Sequence, residues 1–275
     1  MFSKYVHVDG VAINYFHTGA STLPDVTPAL DRGELLLFLH GAGSNGHTWH
    51  QQLAHLEPHH SAVAVDLPGH GRSGSTEGLP DLDAHVRFMT AFAEALPLRP
   101  FVLVGRALGG AVAIDFALAQ PQRLRGLVVV ATPPRFEMPQ ASLDTWHDVM
   151  RGRATQPFSP ALFSPKVDMA VMRECFMEQV KTDPRVRYTD MLACNGVDFS
   201  ARLGALRLPT LVITGRDDHF APPAKAEDVC RRIPGATLAV IEDAGHMLTS
   251  EQPAAFNAAL TTFVDGLSPV DGLSQ

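Results

Sequence analysis

Six short runs of this chain are apolar almost throughout: Glu34–His40, Ala62–Asp66, Phe101–Gly105, Gly126–Ala131, Leu211–Gly215 and Thr237–Ile241. Runs of this length without a polar face read as strands covered on both sides, the condition of a parallel sheet. Asp81–Leu96, Leu108–Ala119, Ala224–Arg232 and Glu251–Val264 repeat apolar residues at helical spacing. Pro222, Pro223 and Pro253 fall near helix starts, where a missing amide donor costs nothing. Strands alternating with helices imply right-handed crossovers and a mostly parallel, doubly wound α/β sheet. Tyr5–Val8 and Val11–His17 flank the turn pair Asp9-Gly10, so an antiparallel hairpin is expected at one edge.

The alternation stops between Pro133 and about Leu208. No strand signal is present there, and prolines punctuate short helical stretches. Met138, Met150, Met169, Met172, Met177 and Met191 fall in this stretch, with Trp146, Phe158, Phe163 and Phe176. Core packing explains any one of them. Together, thioethers and aromatics inserted between two strands suggest an apolar helical cap over a pocket. The expected division is a core of residues 1–132 and 209–275 and a cap of residues 133–208. Lys166, Arg173, Arg185 and Arg187 of the cap are expected to face solvent; one of them turned into the pocket would point to an acidic substrate.

With 275 residues, the chain is long enough for one large core. A net charge of -7 argues against binding nucleic acid, which needs a basic surface. Cys175, Cys194 and Cys230 are few and widely spaced, so reduced thiols and a cytoplasmic location are expected. The first residues lack the apolar run of a signal peptide, and no run is long enough to span a membrane. His55, His59 and His60 cluster without ligand spacing, so no metal is expected. No phosphate loop, haem motif or nicotinamide fingerprint occurs in a strand–helix context, and no cofactor is implied. The expected partner is a small-molecule substrate; oligomeric state is left open.

Chemistry-bearing residues collect where the strands end. The third apolar run leads into Gly105-Arg106-Ala107-Leu108-Gly109-Gly110, a tight strand-to-helix turn of the Gly-x-Ser-x-Gly kind in which alanine stands at the nucleophile position. The fifth run ends in Arg216-Asp217-Asp218-His219, and the sixth is followed by Glu242-Asp243-Ala244-Gly245-His246. Both put titratable groups at the carboxyl edge of the sheet, where open α/β sheets bind ligands. Taken singly, the Asp pair also suits a helix cap, and the histidine a structural role. In the order turn, acid, histidine they suit nucleophilic acyl transfer.

These segments, with His40-Gly41-Ala42-Gly43 and Asp66-Leu67-Pro68-Gly69-His70-Gly71-Arg72-Ser73, resemble the α/β-hydrolase superfamily over nearly the full chain. The resemblance implies a triad of the residue at position 107, Asp218 (Asp217 as the fallback) and His246. It implies an oxyanion hole from the amides of Ala42 and Leu108. The Asp66–Ser73 segment is expected to shape a turn near the pocket. Gly41, Arg106, Trp146 and Met247 are placed among the substrate-binding positions; Arg106 has two readings, steadying a carboxylate on the substrate or, as the favoured structural role, pairing with a nearby backbone group or acid.

Ala107 cannot attack a carbonyl or exchange a proton with His246. The backbone oxyanion donors survive such a change, so binding without turnover is expected, and with Asp218 and His246 kept, a recent or engineered serine-to-alanine replacement is the favoured origin. Two other readings stay open: a receptor using the capped pocket, and a lyase or cofactor-free oxygenase using His246 and Asp218 as a base. The substrate class expected for the hydrolase is a small apolar ester, a lactone or a carbon–carbon cleavage substrate. The Arg-Asp-Asp segment resembles that of ring-cleavage-product hydrolases, whereas Met247 follows the histidine where those often carry tryptophan.

Overall fold

In the computed structural model, which describes residues 1–20, 23 and 26–268, the first five apolar runs become the interior of one eight-stranded sheet, whereas the sixth, Thr237–Ile241, expected to be covered on both sides, is its edge strand and is buried only at Ile241. The strands are β1 (Phe2–Val8), β2 (Val11–His17), β3 (Leu35–Leu39), β4 (Ser61–Val65), β5 (Phe101–Arg106), β6 (Leu124–Val130), β7 (Thr210–Gly215) and β8 (Thr237–Ile241). The helices are α1 (His50–Leu56), α2 (Leu82–Ala95), α3 (Leu108–Ala119), α4 (Gln140–Met150), α5 (Met169–Gln179), α6 (Pro184–Cys194), α7 (Pro223–Arg232), α8 (Leu248–Glu251) and α9 (Pro253–Asp265). Sheet order is β1-β2-β4-β3-β5-β6-β7-β8. The β1–β2 and β2–β4 pairings are antiparallel, and the rest are parallel.

Every residue of β3, β4 and β5 is buried, because helices cover both faces. On one face, Leu37, Leu103 and Val129 pack with Phe88 and Phe92 of α2, Val112 and Phe116 of α3 and Val229 of α7. On the other, Phe38, Val104 and Val128 pack with Leu53 of α1 and Phe256 and Leu260 of α9. Burying each such side chain contributes about 1.5–3 kcal/mol, so the sheet core is the rigid frame of the molecule.

The expected helix over Glu251–Val264 is corrected to two, α8 and α9. Gln252, with φ −133° and ψ 60°, breaks the run, since a residue before proline is disfavoured in helical geometry. Between β6 and β7 the described residues hold no named strand; α4, α5 and α6 lie there, and an isolated bridge from Arg135 to Asp198 ties the two ends of the excursion together. Helix α6 packs against α4 and α3, and α5 against α8, so the excursion folds back over the carboxyl edge of the sheet. Its apolar residues divide. Met138 and Met191 face a cavity, whereas Met169 is 71% exposed and Met177 50% exposed. No helix among the described residues is long and apolar enough to cross a membrane.

Candidate active site

Strand β5 and helix α3 meet at Ala107, whose φ of 51° and ψ of −111° lie outside the regions open to most L-residues. The surrounding glycines explain how so sharp a turn packs. A side chain beginning at Gly105 would meet the Gly109 carbonyl oxygen at 2.1 Å, and one at Gly110 would meet Thr132 Oγ1 at 2.0 Å. Backbone bonds pin the turn: Ala107 N–H donates to the Val130 carbonyl at 3.0 Å, and Ala111 N–H to the Ala107 carbonyl at 2.9 Å.

His246 follows the loop after β8, and its Nδ1 lies 2.9 Å from Asp218 Oδ2. The loop after β7 turns Asp218 inward, where its side chain is fully buried. The other oxygen, Oδ1, accepts from the amides of Phe220 at 2.7 Å and Ala221 at 3.0 Å. Burial alone would raise this carboxyl's pKa; His246 and the two amides override that and hold it below the ordinary range. Asp218 therefore stays ionised and fixes the imidazole with Nδ1–H toward itself, leaving Nε2 free. The neighbouring Asp217 turns elsewhere and accepts from Ser164 Oγ at 2.6 Å.

Ala107, His246, Ala42, Leu108, Gly41, Arg106 and Met247 line one cavity of about 190 Å³. The amides of Ala42 and Leu108 donate to no acceptor among the described residues. Leu108 N–H stands at the amino end of α3, where the helix supplies no carbonyl partner and the dipole favours negative charge. His246 and two idle amides thus share one cavity with position 107, which is every part of acyl transfer through an oxyanion except the attacking group.

A second space of about 530 Å³ adjoins the first and shares Leu162, Gln179, Arg187, Met191 and Phe220 with it. Trp146 lines only this outer space, with the Arg187 guanidinium 3.9 Å from its ring centroid. Arg187 thus corrects the expectation that the cap's cations all face solvent. Lys166 and Arg185 do so, at 70% and 60% exposure, and Arg173 is exposed. The structural role considered for Arg106, pairing with a backbone group or an acid, is also not met among the described residues. Its Nη1 donates to Met247 Sδ at 2.7 Å and its Nη2 lies 3.4 Å from Ser44 Oγ.

Against the His40–Ser44 loop lies a second His–Asp pair that sequence reading missed. His70 Nε2 and Asp190 Oδ2 of α6 lie 2.8 Å apart, with side-chain exposures of 1% and 0%. The same oxygen accepts from Gly43 N–H at 2.9 Å, joining the cap to the His40–Ser44 loop. Nothing in Tyr188-Thr189-Asp190-Met191 marks that role; only the fold brings residues 120 positions apart together. Asp66, in turn, accepts from the amides of Gly46 at 2.6 Å and Arg72 at 2.9 Å, holding the loops around it. His40 is buried beside His70, and burial lowers its pKa to about 3, so it stays neutral and accepts from Leu67 N–H.

Comparison with known proteins bears on this geometry. A model of the alpha/beta hydrolase family matches residues 36–259. The pimeloyl-[acyl-carrier protein] methyl ester esterase of Aeromonas salmonicida is 31% identical over 255 residues, covering 85% of this chain and 96% of that one. The 2-hydroxy-6-oxononadienedioate/2-hydroxy-6-oxononatrienedioate hydrolase of Paraburkholderia phymatum is 28% identical over 287 residues, covering 95% of each. Among solved structures, a thermophilic esterase from Thermogutta terrifontis superposes with a TM-score of 0.85 at 24% identity, over 98% of this chain and all of that one.

Proposed function

The chain belongs to the alpha/beta hydrolase family, and from that premise we propose that it is a serine-type hydrolase whose nucleophile position is occupied by alanine, so that it binds substrate without turning it over. The carrying observation is Ala107 itself. A non-glycine residue at φ 51° and ψ −111° is strained by about 1–3 kcal/mol. Strain of that kind has a purpose when the side chain attacks a substrate, and a methyl group draws none from it. Beside it, the His246–Asp218 pair and the idle amides of Ala42 and Leu108 keep the arrangement a serine would use.

With serine at 107, His246 Nε2 would accept the hydroxyl proton as Oγ attacks the substrate carbonyl. Asp218 would steady the imidazolium, and the two amides would carry the developing oxyanion. His246 would then protonate the leaving group, and water would release the acyl half by the same route. Residues 133–208 act as the cap that closes the cavity and excludes water. Esterase and carbon–carbon hydrolase relatives support small esters, lactones or carbon–carbon cleavage substrates as the class. The intact dyad beside a methyl group favours one second reading, in which His246 acts as a base without a covalent step.

The test is a panel of methyl and p-nitrophenyl esters and enol lactones, assayed with the chain and with Ala107→Ser. Hydrolysis that rises at least about 10³-fold in the variant supports the proposal, since loss of a nucleophile costs on the order of 10⁶ in a serine protease. A variant no faster than the chain itself overturns it.

A further inference from the structure

Four cationic side chains border the inner cavity: Arg106, Arg135, Arg187 and Lys225. Two have conventional partners at the rim. Arg135 is 57% exposed and pairs with Glu137 at 2.8 Å, and exposed Lys225 donates to the Phe220 carbonyl at 3.2 Å. Arg106 and Arg187 differ: among the described residues, neither has a carboxylate oxygen in ion-pair contact.

Arg106 is the more unusual. It is 3% exposed, yet its partners are a thioether, which accepts weakly, and a hydroxyl at the limit of hydrogen bonding. Asp218 and Glu251 act on it only over a distance. Arg187 is part-buried, stacked on Trp146 and donating to Gln179 Oε1 at 3.1 Å. Burying a guanidinium without an anion is costly, and its planar fork matches a carboxylate in two parallel hydrogen bonds.

Their placement says where such an anion would sit. A side chain beginning at Gly41 would lie 3.6 Å from Ala107 Cβ and 3.7 Å from Arg106 Nη2. One space, left open by that glycine, therefore borders both the nucleophile position and the guanidinium. On the other side of the same loop, a side chain beginning at Gly43 would strike the Arg187 stem at 2.5 Å. The two arginines flank the His40–Ser44 loop, one from the core and one from the cap.

We propose that the cavity takes substrates carrying a free carboxylate on the acyl side of the scissile bond, held by Arg106 with Arg187 as the cap's second cation. Short half-esters and half-lactones of dicarboxylic acids are the class that fits. This rests on the hydrolase reading only for the position of the scissile bond; the anion site stands on the two guanidinium groups.

Because the chain carries Ala107, binding is measurable without turnover. Monomethyl and dimethyl esters of succinic, glutaric and adipic acids are titrated into the unaltered chain by calorimetry. At least one monoester is expected to bind about tenfold or more tightly than its diester, because only the monoester pairs with the buried cation. Arg106→Met is expected to abolish that preference, and Arg187→Gln to weaken it, with circular dichroism checking the fold of each. Should Arg106→Met fail to fold, the comparison on the unaltered chain and on Arg187→Gln decides. Diesters binding as tightly as monoesters, no monoester binding at millimolar concentration, or a preference that survives Arg106→Met would each overturn the proposal. Monoesters that bind selectively yet are left intact by Ala107→Ser would instead count against the hydrolase reading alone.

Discussion

Replacing Asp190 by alanine removes the one acceptor that serves both His70 and the Gly43 amide, at 2.8 Å and 2.9 Å, inside a region closed to water. A hydrogen bond to a charged group contributes about 1.5–3 kcal/mol, and removing one member of a buried pair costs about 3–5 kcal/mol. Asp190→Ala is therefore expected to lower unfolding free energy by about 3–5 kcal/mol, a large share of the 5–15 kcal/mol typical of a domain. Asp190→Asn keeps an oxygen for both donors and should cost less. The effect also has a pH signature. Burial would lower the His70 pKa, but Asp190 overrides it and holds the value raised, so that share of stability is complete below about pH 6.5 and fades as pH climbs through the raised value. Burial would raise the Asp190 pKa, but His70 and Gly43 hold it lowered, so its share is complete above about pH 3.8 and fades as pH falls through the lowered value. The difference between the chain and Asp190→Asn should peak between those limits and shrink toward pH 9. Urea unfolding across that range, with His40, His85 and Asp66 unaltered beside the pair, provides the measurement. A loss under about 1 kcal/mol for Asp190→Ala, or a gap that still grows as pH rises above about 6.5, would refute the reasoning.

Three further outcomes follow from the same geometry. Ala107→Gly should stabilise the chain by about 1 kcal/mol in thermal melts, since relief of the positive φ outweighs glycine's entropy cost; a fall in melting temperature contradicts the strain. Gly110→Ala should destabilise by at least about 2 kcal/mol, because its methyl would start 2.0 Å from Thr132 Oγ1; a neutral result would mean the turn yields easily. On the Ala107→Ser background, Asp218→Asn should lower kcat by about 10⁴ with little change in KM, and Asp217→Asn by under about tenfold; equal effects would contradict the separate bonding of the two carboxylates.

The parts legible in the sequence are those governed by local sterics or by burial on two faces. Strands β3 to β7 announce themselves because the interior of a parallel sheet leaves no polar side, edge strand β8 is legible despite its partial exposure, and the ends of all six shift by at most two residues from expectation. The glycines around Ala107 are legible because each close approach excludes a side chain. Asp217 and Asp218 are adjacent and chemically equal, so only the loop's path shows that one meets His246 and the other Ser164. The cap was the least legible. Arg187 looks like a surface cation in its helix, and Met169, Met172 and Phe176 of α5 do not border the inner cavity, because which residues of the excursion turn inward depends on how α5 packs against α8 and α6 against α3 and α4. Asp190 lay hidden for the same reason.

Mass spectrometry of the Ala107→Ser protein after exposure to a fluorophosphonate addresses the nucleophile position most directly. A single phosphonyl adduct is expected on residue 107, lost when His246→Ala is added, while the unaltered chain stays unlabelled. An unmodified residue 107, or an adduct carried equally by both proteins at another site, would contradict the account.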